Sequence, residues 1–437
     1  DIYMRLVDQI LHAAYVVHGE QLQVLTDHAV VIEQGVIVDI LPSAVVPEVY
    51  TAATVESLPN TVLMPGLVNS HTHIGMNLFR GIADDLDLQT WLNQHIWPAE
   101  HRHVSDELVY DASLLAAAEM IRGGITACNE MYFFPHATAR AIVDAGLRAH
   151  IGMTIIDFPS PWAPSVEDYW RVGREFYEQY QQHGLITVTL APHAVYTVGK
   201  ASLIRVRDFA QQHNLRITMH VQETAQEVAD SIATTGQRPL AYLANLGLLD
   251  SNFMAIHMTQ IAPEDVSILQ ATHAHVVHCP ESNMKLGSGV CPVRQLLDAG
   301  VNVALGTDGV ASNNDLDMIG EMRSAALLAK VVSHDPQALS AADVLAMATV
   351  NGGRCLGRGW GSLTVGNAAD VVALDLGILE MQPLYNVIAQ IVYAGSRTQV
   401  TDVWVAGRRL LQQRRLTTLD EDALLLKARQ WRERIAS

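Results

Sequence analysis

The stretch Met64-Pro65-Gly66-Leu67-Val68-Asn69-Ser70-His71-Thr72-His73 decides how the chain is read. The residues leading into it, Thr61 to Met64, are β-branched or apolar and predict a short buried strand. Pro65 and Gly66 disturb regular pairing, and His71 and His73 then follow two positions apart. In extended chain, residues i and i+2 point to one side, so both imidazoles can face a single point. Two neutral imidazoles aimed at one point are half of a zinc site. Among 19 histidines such a pair also arises by accident. Its meaning therefore depends on what stands in matching positions downstream.

Downstream, short apolar strands alternate with helical stretches, the signature of repeated βα units around a parallel sheet. Eight strands are expected: 62–68, 125–130, 148–155, 186–191, 216–221, 253–257, 275–278 and 301–306. Asp106 to Arg122 and Pro239 to Leu248 are clear helices between them. Eight units predict an α/β fold, a closed (β/α)8 TIM barrel with its active site at the C-terminal strand ends. Both ends of the chain differ from this middle. Gln23 to Leu25, Ala29 to Glu33, Val36 to Leu41, Asp370 to Leu374 and Val400 to Arg408 are short strands separated by polar or glycine turns. A small β-sandwich built from both termini follows, with domain limits 1–62, 63–359 and 360–437, and a terminal helix over Leu419 to Ile435.

The barrel makes a sharp test, because reactive groups must lie at its strand ends. His71 and His73 close strand one, His193 follows strand four, and His220 closes strand five with Glu223 just beyond. His257 closes strand six, and strand eight leads to Asp308. A lone histidine at a strand end is more often structural. Seven groups on one rim point to a site.

The composition sets limits on partners. Lys and Arg number 28 against 46 Asp and Glu, a net charge of −18, and no basic stripe runs along any face. Nucleic acid and anionic membranes are thereby disfavoured as partners. Hydrophobic residues at 49% with 17% charged suit a large buried core. Cys128, Cys279, Cys291 and Cys355 are scattered without a CxxC pair, as expected of buried thiols in a reducing compartment. No apolar run reaches the length of a membrane span, and Asp1 to Arg5 lack the opening of a signal peptide. A cytoplasmic protein is expected, although the chain does not begin with Met and a removed leader stays open.

On these residues the chain resembles the amidohydrolase superfamily, in its branch of 5-methylthioadenosine/S-adenosylhomocysteine deaminases. The matching stretches are MPGLVNSHTHIGMNLFRG, WPAE, APHAVYTV, MHVQET, HCPESNMKLGSG and GTDGVASNNDLDM, with GNAADVV near the end. They span residues 60 to 375 in the same order. HxH and GTDG mark only the superfamily; WPAE, SNMKLGSG and TDGVASNN narrow it to this branch and its triazine-hydrolase relatives.

The resemblance implies metal ligation by His71, His73, His220 and Asp308, and an acid–base pair of Glu223 and His257. Asp308 would also take the proton of a metal-activated water. Glu223 would protonate ring N1 so that C6 accepts the oxygen and ammonia leaves. Three imidazoles and a carboxylate suit Zn²⁺, with Fe²⁺ also acceptable. The lysine that bridges two metals in binuclear members is missing from Leu190-Ala191-Pro192-His193, so one ion per subunit is expected. Glu100 matches the carboxylate that accepts the two ribose hydroxyls, and His193 a residue near ribose and purine. Trp91, Trp97 and Met76 offer apolar lining for a purine or thioether but are read as packing; His278 and Ser282-Asn283-Met284-Lys285 are read as shaping the rim, with Lys285 alternatively paired to a nearby carboxylate.

One departure bears on specificity. Members accepting S-adenosylhomocysteine can carry an arginine at the end of strand three, where this chain has Gly152-Met153-Thr154-Ile155 and then Phe158-Pro159-Ser160-Pro161-Trp162. A carboxylate entering an apolar site without a cation loses charge-assisted hydrogen bonds. The expected reaction is therefore deamination of 5′-methylthioadenosine to 5′-methylthioinosine, with adenosine or 5′-deoxyadenosine tolerated and S-adenosylhomocysteine disfavoured. The rival readings are a triazine-type or other aminated-heterocycle hydrolase on the same site, and a non-catalytic scaffold. The resemblance is also compatible with a homo-oligomer.

Overall fold

The computed structural model describes residues 3–437. Its strands sort into two eight-stranded sheets whose changeover falls at Gly66. The first sheet takes β1 (Arg5–His18), β2 (Gln23–Glu33), β3 (Val36–Pro42) and β4 (Tyr50–Pro65) from the start of the chain. The second takes β5 (Leu67–Thr72), β6 (Ile125–Glu130), β7 (Arg148–Ile155), β8 (Ile186–Pro192), β9 (Ile217–Val221), β10 (Phe253–His257), β11 (His275–His278) and β12 (Val303–Leu305). The first sheet is completed by β13 (Val371–Asp375), β14 (Val400–Val405), β15 (Arg408–Gln412) and β16 (Arg415–Leu416).

The second sheet is parallel throughout, with neighbours in sequence order. Its two edges meet. Asp308 N donates to His71 O at 2.9 Å, and Asn69 bonds Thr307 through its Nδ2 at 2.8 Å and its Oδ1 at 3.0 Å. Gly306 makes this closure possible, since a Cβ there would lie 2.7 Å from the His71 backbone nitrogen. The expected barrel is present, with its active rim where β5 and β12 close on each other.

The first sheet runs β16-β15-β14-β13-β4-β1-β2-β3, with β4 between β13 and β1. It folds back on itself. Ala369 N donates to Gly35 O at 2.8 Å and Ile37 N to Asn367 O at 2.9 Å, bringing the β2–β3 turn over the other half. Leu11, Val30, Ile32, Leu63, Val371 and Trp404 fill the space between. The two termini thus make one small domain, as expected. Arg148 on the barrel strand β7 ties it to the barrel through Asp370, at 2.8 Å from Nε.

One boundary needs correction. The apolar run expected to open barrel strand one, 62–68, is divided between two sheets, and residues 63–65 belong to the terminal one. Val62, Leu63 and Met64 pair antiparallel with Leu374, Ala373 and Val372. Side chains alternate along a strand. Here Leu63 packs into the terminal domain, while Val62 and Met64 pack into the main barrel core. Burial on both faces gives a continuous apolar run, which sequence alone cannot distinguish from a barrel strand. Gly66 makes the switch, since a Cβ there would meet Thr126 Oγ1 at 2.0 Å.

Candidate metal centre and active site

The C-terminal ends of four barrel strands put their polar side chains into one volume. His71 lies at the end of β5, His220 at the end of β9 and His257 at the end of β10; His73 directly follows β5, and Asp308 stands three residues past β12. His71 Nε2 and His73 Nε2 each stand 3.2 Å from Asp308 Oδ1. The donor atoms of His71, His73 and His220 lie within 4.8 Å of one another, as do those of His71, His257 and Asp308. These side chains are buried apart from the rim-facing His73. Backbone strain marks the same place: His257 has φ +86, Met258 φ +45 and Asp308 φ +60, the left-handed region that side chains rarely adopt.

The surrounding bonds fix which ring nitrogen is free. His73 Nδ1 bonds Met131 O at 2.7 Å and His220 Nδ1 bonds His193 O at 2.7 Å. A carbonyl only accepts, so both rings carry their hydrogen on Nδ1 and present a lone pair on Nε2. His71 has neither ring nitrogen in a well-formed hydrogen bond although it is fully buried. Burial also holds the His71 and His220 imidazoles below their ordinary pKa, in the neutral state a cation needs. Burial opposes ionisation of Asp308, but His71 and His73 outweigh it and hold the carboxyl well below the usual range. His73 is the exception: burial opposes its charge, but Asp308 lifts it to about 9, and a bound cation would displace that proton. With the orphaned His71 ring, His220 and the ionised Asp308, the set fits a divalent metal ion.

Glu223 and His257 face the same volume, with His257 Nε2 at 3.4 Å from Glu223 Oε1 and 3.7 Å from Asp308 Oδ2. Burial, reinforced by the charges of Asp308 and Glu227, pushes the Glu223 carboxyl well above its ordinary value. Burial pushes His257 down to about 3, so the ring is neutral. Asn283 Nδ2 stands 3.0 Å from His257 Nδ1 and Ser282 Oγ donates to Asp308 Oδ2 at 2.8 Å. Two successive residues on the short helix Pro280–Lys285 therefore orient two reactive groups. The sequence reading placed this loop on the rim without those bonds.

Above the polar floor opens a cavity with apolar and polar lining. Leu88, Trp91, Leu92, Ile96 and Trp97 form an apolar wall, with Met76 below. Trp91, Trp97 and Met76, expected to be packing, thus line the cavity as well. His193 also lines it, its Nδ1 2.9 Å from Thr197 Oγ1 and its pKa pushed to about 3 by burial. Glu100 is buried in the same wall and accepts the Tyr132 hydroxyl. Burial raises the Glu100 carboxyl to about 7 against the opposing effect of that bond. Among the described residues, the cavity lining holds no Lys or Arg.

Sequence reasoning missed Tyr132 and Glu130. Glu130 ends β6 inside the barrel and accepts Ile74 N at 2.7 Å, pinning the turn that follows His73. Its position at a strand end was the available signal. His278, placed on the rim, is buried at the end of β11 and does not line the cavity.

Comparison with known proteins agrees with this geometry. Residues 62–410 match the amidohydrolase family. The chain is 44% identical over 413 residues to a 5-methylthioadenosine/S-adenosylhomocysteine deaminase of Teredinibacter turnerae, covering 94% of this chain and 93% of that one. It is 43% identical over 431 residues to a protein of the same name from Saccharophagus degradans, covering 98% and 97%. A crystal structure of an adenosine deaminase from Xanthomonas campestris with bound zinc superposes with a TM-score of 0.97 at 49% identity, covering 99% of this chain and 100% of that one. The atrazine chlorohydrolase of Arthrobacter aurescens superposes at 0.91 with 22% identity over 97% and 99%, a likeness of fold alone.

Proposed function

This chain belongs to the amidohydrolase family, in its branch of 5-methylthioadenosine/S-adenosylhomocysteine deaminases, and from that premise we propose that its substrates are 6-aminopurine nucleosides. The chain is a metal-dependent hydrolytic deaminase. The preferred substrate in our reading is 5′-methylthioadenosine, with adenosine or 5′-deoxyadenosine accepted, S-adenosylhomocysteine disfavoured, and zinc as the ion. The observation that carries this reading is one cavity with Glu100 buried in its apolar wall, Glu223 and Asp308 at its floor, and no cation in its lining. Glu100 suits paired ribose hydroxyls. The apolar wall suits a thioether, and a bare amino-acid carboxylate would enter without a partner charge.

A divalent ion held by His71, His73, His220 and Asp308 would supply Lewis acidity, lowering the pKa of a water from 15.7 toward ~7. The remaining steps fall to the chain. Asp308, oriented by Ser282, accepts the proton that the water gives up. Asn283 donates to His257 Nδ1, which leaves the hydrogen of the neutral ring on Nε2, where it can steady the attacking oxygen. Glu223, whose carboxyl burial and the Asp308 and Glu227 charges raise, donates a proton to ring N1 and draws electron density from C6. The proton held on Asp308 then passes to the exocyclic nitrogen. Ammonia departs as the C6 hydroxyl returns a proton to Glu223, and the 6-oxo product remains.

An ammonia-release assay on zinc-loaded protein tests this reading with methylthioadenosine, S-adenosylhomocysteine, adenosine and adenine. Methylthioadenosine is expected to exceed S-adenosylhomocysteine in kcat/KM by roughly tenfold or more, the value of one lost charge-assisted bond. Equal values would remove the specificity argument. Turnover of adenine alone would remove Glu100 as the ribose reader.

A further inference from the structure

The segment between His73 and the helix Asp106–Arg122 supplies one apolar wall of the cavity, yet the loop within it, 80–87, is largely exposed. What fixes this segment in place is polar. Asp84 pairs with Lys285, which also donates to Asn314 Oδ1. Asn314 Nδ2 reaches Asp84 Oδ1 at 3.4 Å, and Asn314 O accepts Arg80 Nη1. Arg80 in turn pairs with Glu119. Lys285 and Asn314 stand on the loops after β11 and β12, so the knot joins three rim loops. The residue after Lys285 is Leu286, which lines the cavity and packs in one apolar cluster with Leu88, Trp91 and Leu92.

We propose that Lys285 is a positioning residue: its pairing with Asp84 holds the Leu88–Glu100 wall against the rim and so sets the grip on the ribose end of the substrate. This inference rests on the nucleoside reading above. Lone surface pairs contribute little, but the Lys285 side chain is only 23% exposed and shares Asn314 with both Asp84 and Arg80. The pairing also holds the Asp84 carboxyl below its ordinary value. Lys285 does not line the cavity, so its effect must travel through Leu286 and the loop.

The test compares zinc-loaded wild type with Lys285→Met, Asp84→Asn and the exchanged pair Asp84→Lys with Lys285→Asp. Each single variant is expected to raise the nucleoside KM up to about fivefold while kcat stays within about twofold, the scale of one partly exposed pair. Amide hydrogen exchange over 80–100 should quicken in both, and the exchanged pair should recover most of the KM. Unchanged KM and unchanged exchange in both single variants would overturn the proposal. So would loss of kcat together with bound metal, which would put Lys285 in the support of the metal centre instead. If wild type deaminates no nucleoside, the reading above fails, while the exchange rates still decide whether the pair holds the wall.

Discussion

The strand-end rim and the excursion 74–103 face each other across one cavity and are built by opposite means. The rim is deeply buried, strained in its backbone at His257 and Asp308, and held by short bonds from Ser282, Asn283, Met131 and His193. The excursion is helical, apolar on its inner side, exposed on its outer side, and fastened by ion pairs at Arg80 and Asp84. A rigid floor suits chemistry, where small displacements of reacting atoms are felt strongly. A wall fastened at its edge suits substrate admission, which requires opening. Damage to the rim should therefore appear in kcat and in bound metal, and damage to the excursion in KM.

The sharpest break of that contrast is Glu223→Gln, which keeps the shape and removes the proton. Steady-state kinetics should show kcat lowered by ~10²–10⁴-fold with KM little changed. A KM effect of similar size would place Glu223 in binding. Dialysis against a chelator should abolish turnover and lower Tm together, and added zinc should restore both, because an ion bound to the folded state alone stabilises it. Ser282→Ala, which frees Asp308 Oδ2, is expected to lower metal affinity or activity by ~10–100-fold, as metal analysis and kcat would reveal.

Smaller effects should follow on the excursion. Glu100→Gln keeps one acceptor oxygen where two hydroxyls need partners, so the nucleoside KM should rise by roughly tenfold with kcat nearly intact. The pH profile sharpens the point. Burial raises the Glu100 carboxyl to about 7, so it gains a proton as pH falls through that value and then accepts fewer bonds. Nucleoside KM should climb below pH about 7 in wild type, and this climb should vanish in Glu100→Gln.

Most of the rim was legible because its elements declare themselves locally. His71 and His73 alternate on an extended segment, and His220 and His257 close apolar strands. Asp308 stands in Thr307-Asp308-Gly309, just past the last apolar strand. The Val62–Met64 run was assigned to the wrong sheet because a strand buried on both faces carries no alternation to read. Tyr132 and Glu130 were missed for a different reason. Their partners, Glu100 and Ile74, lie 32 and 56 residues away; Glu130 carried only its strand-end position as a signal, and nothing local to Tyr132 indicates its contact.

The sequence by itself determined the βα repeat, the assembly of a second small domain from both termini, and which residue types could reach the rim. Periodicity and strand-end position are short-range properties that a chain carries in its own order. Only the tertiary structure decided which imidazole nitrogens stay free, that Asn283 and Ser282 orient His257 and Asp308, and that burial raises the Glu223 and Glu100 carboxyls above their ordinary values. Those properties depend on desolvation and on partners brought from distant strands, and they exist only once the barrel has closed.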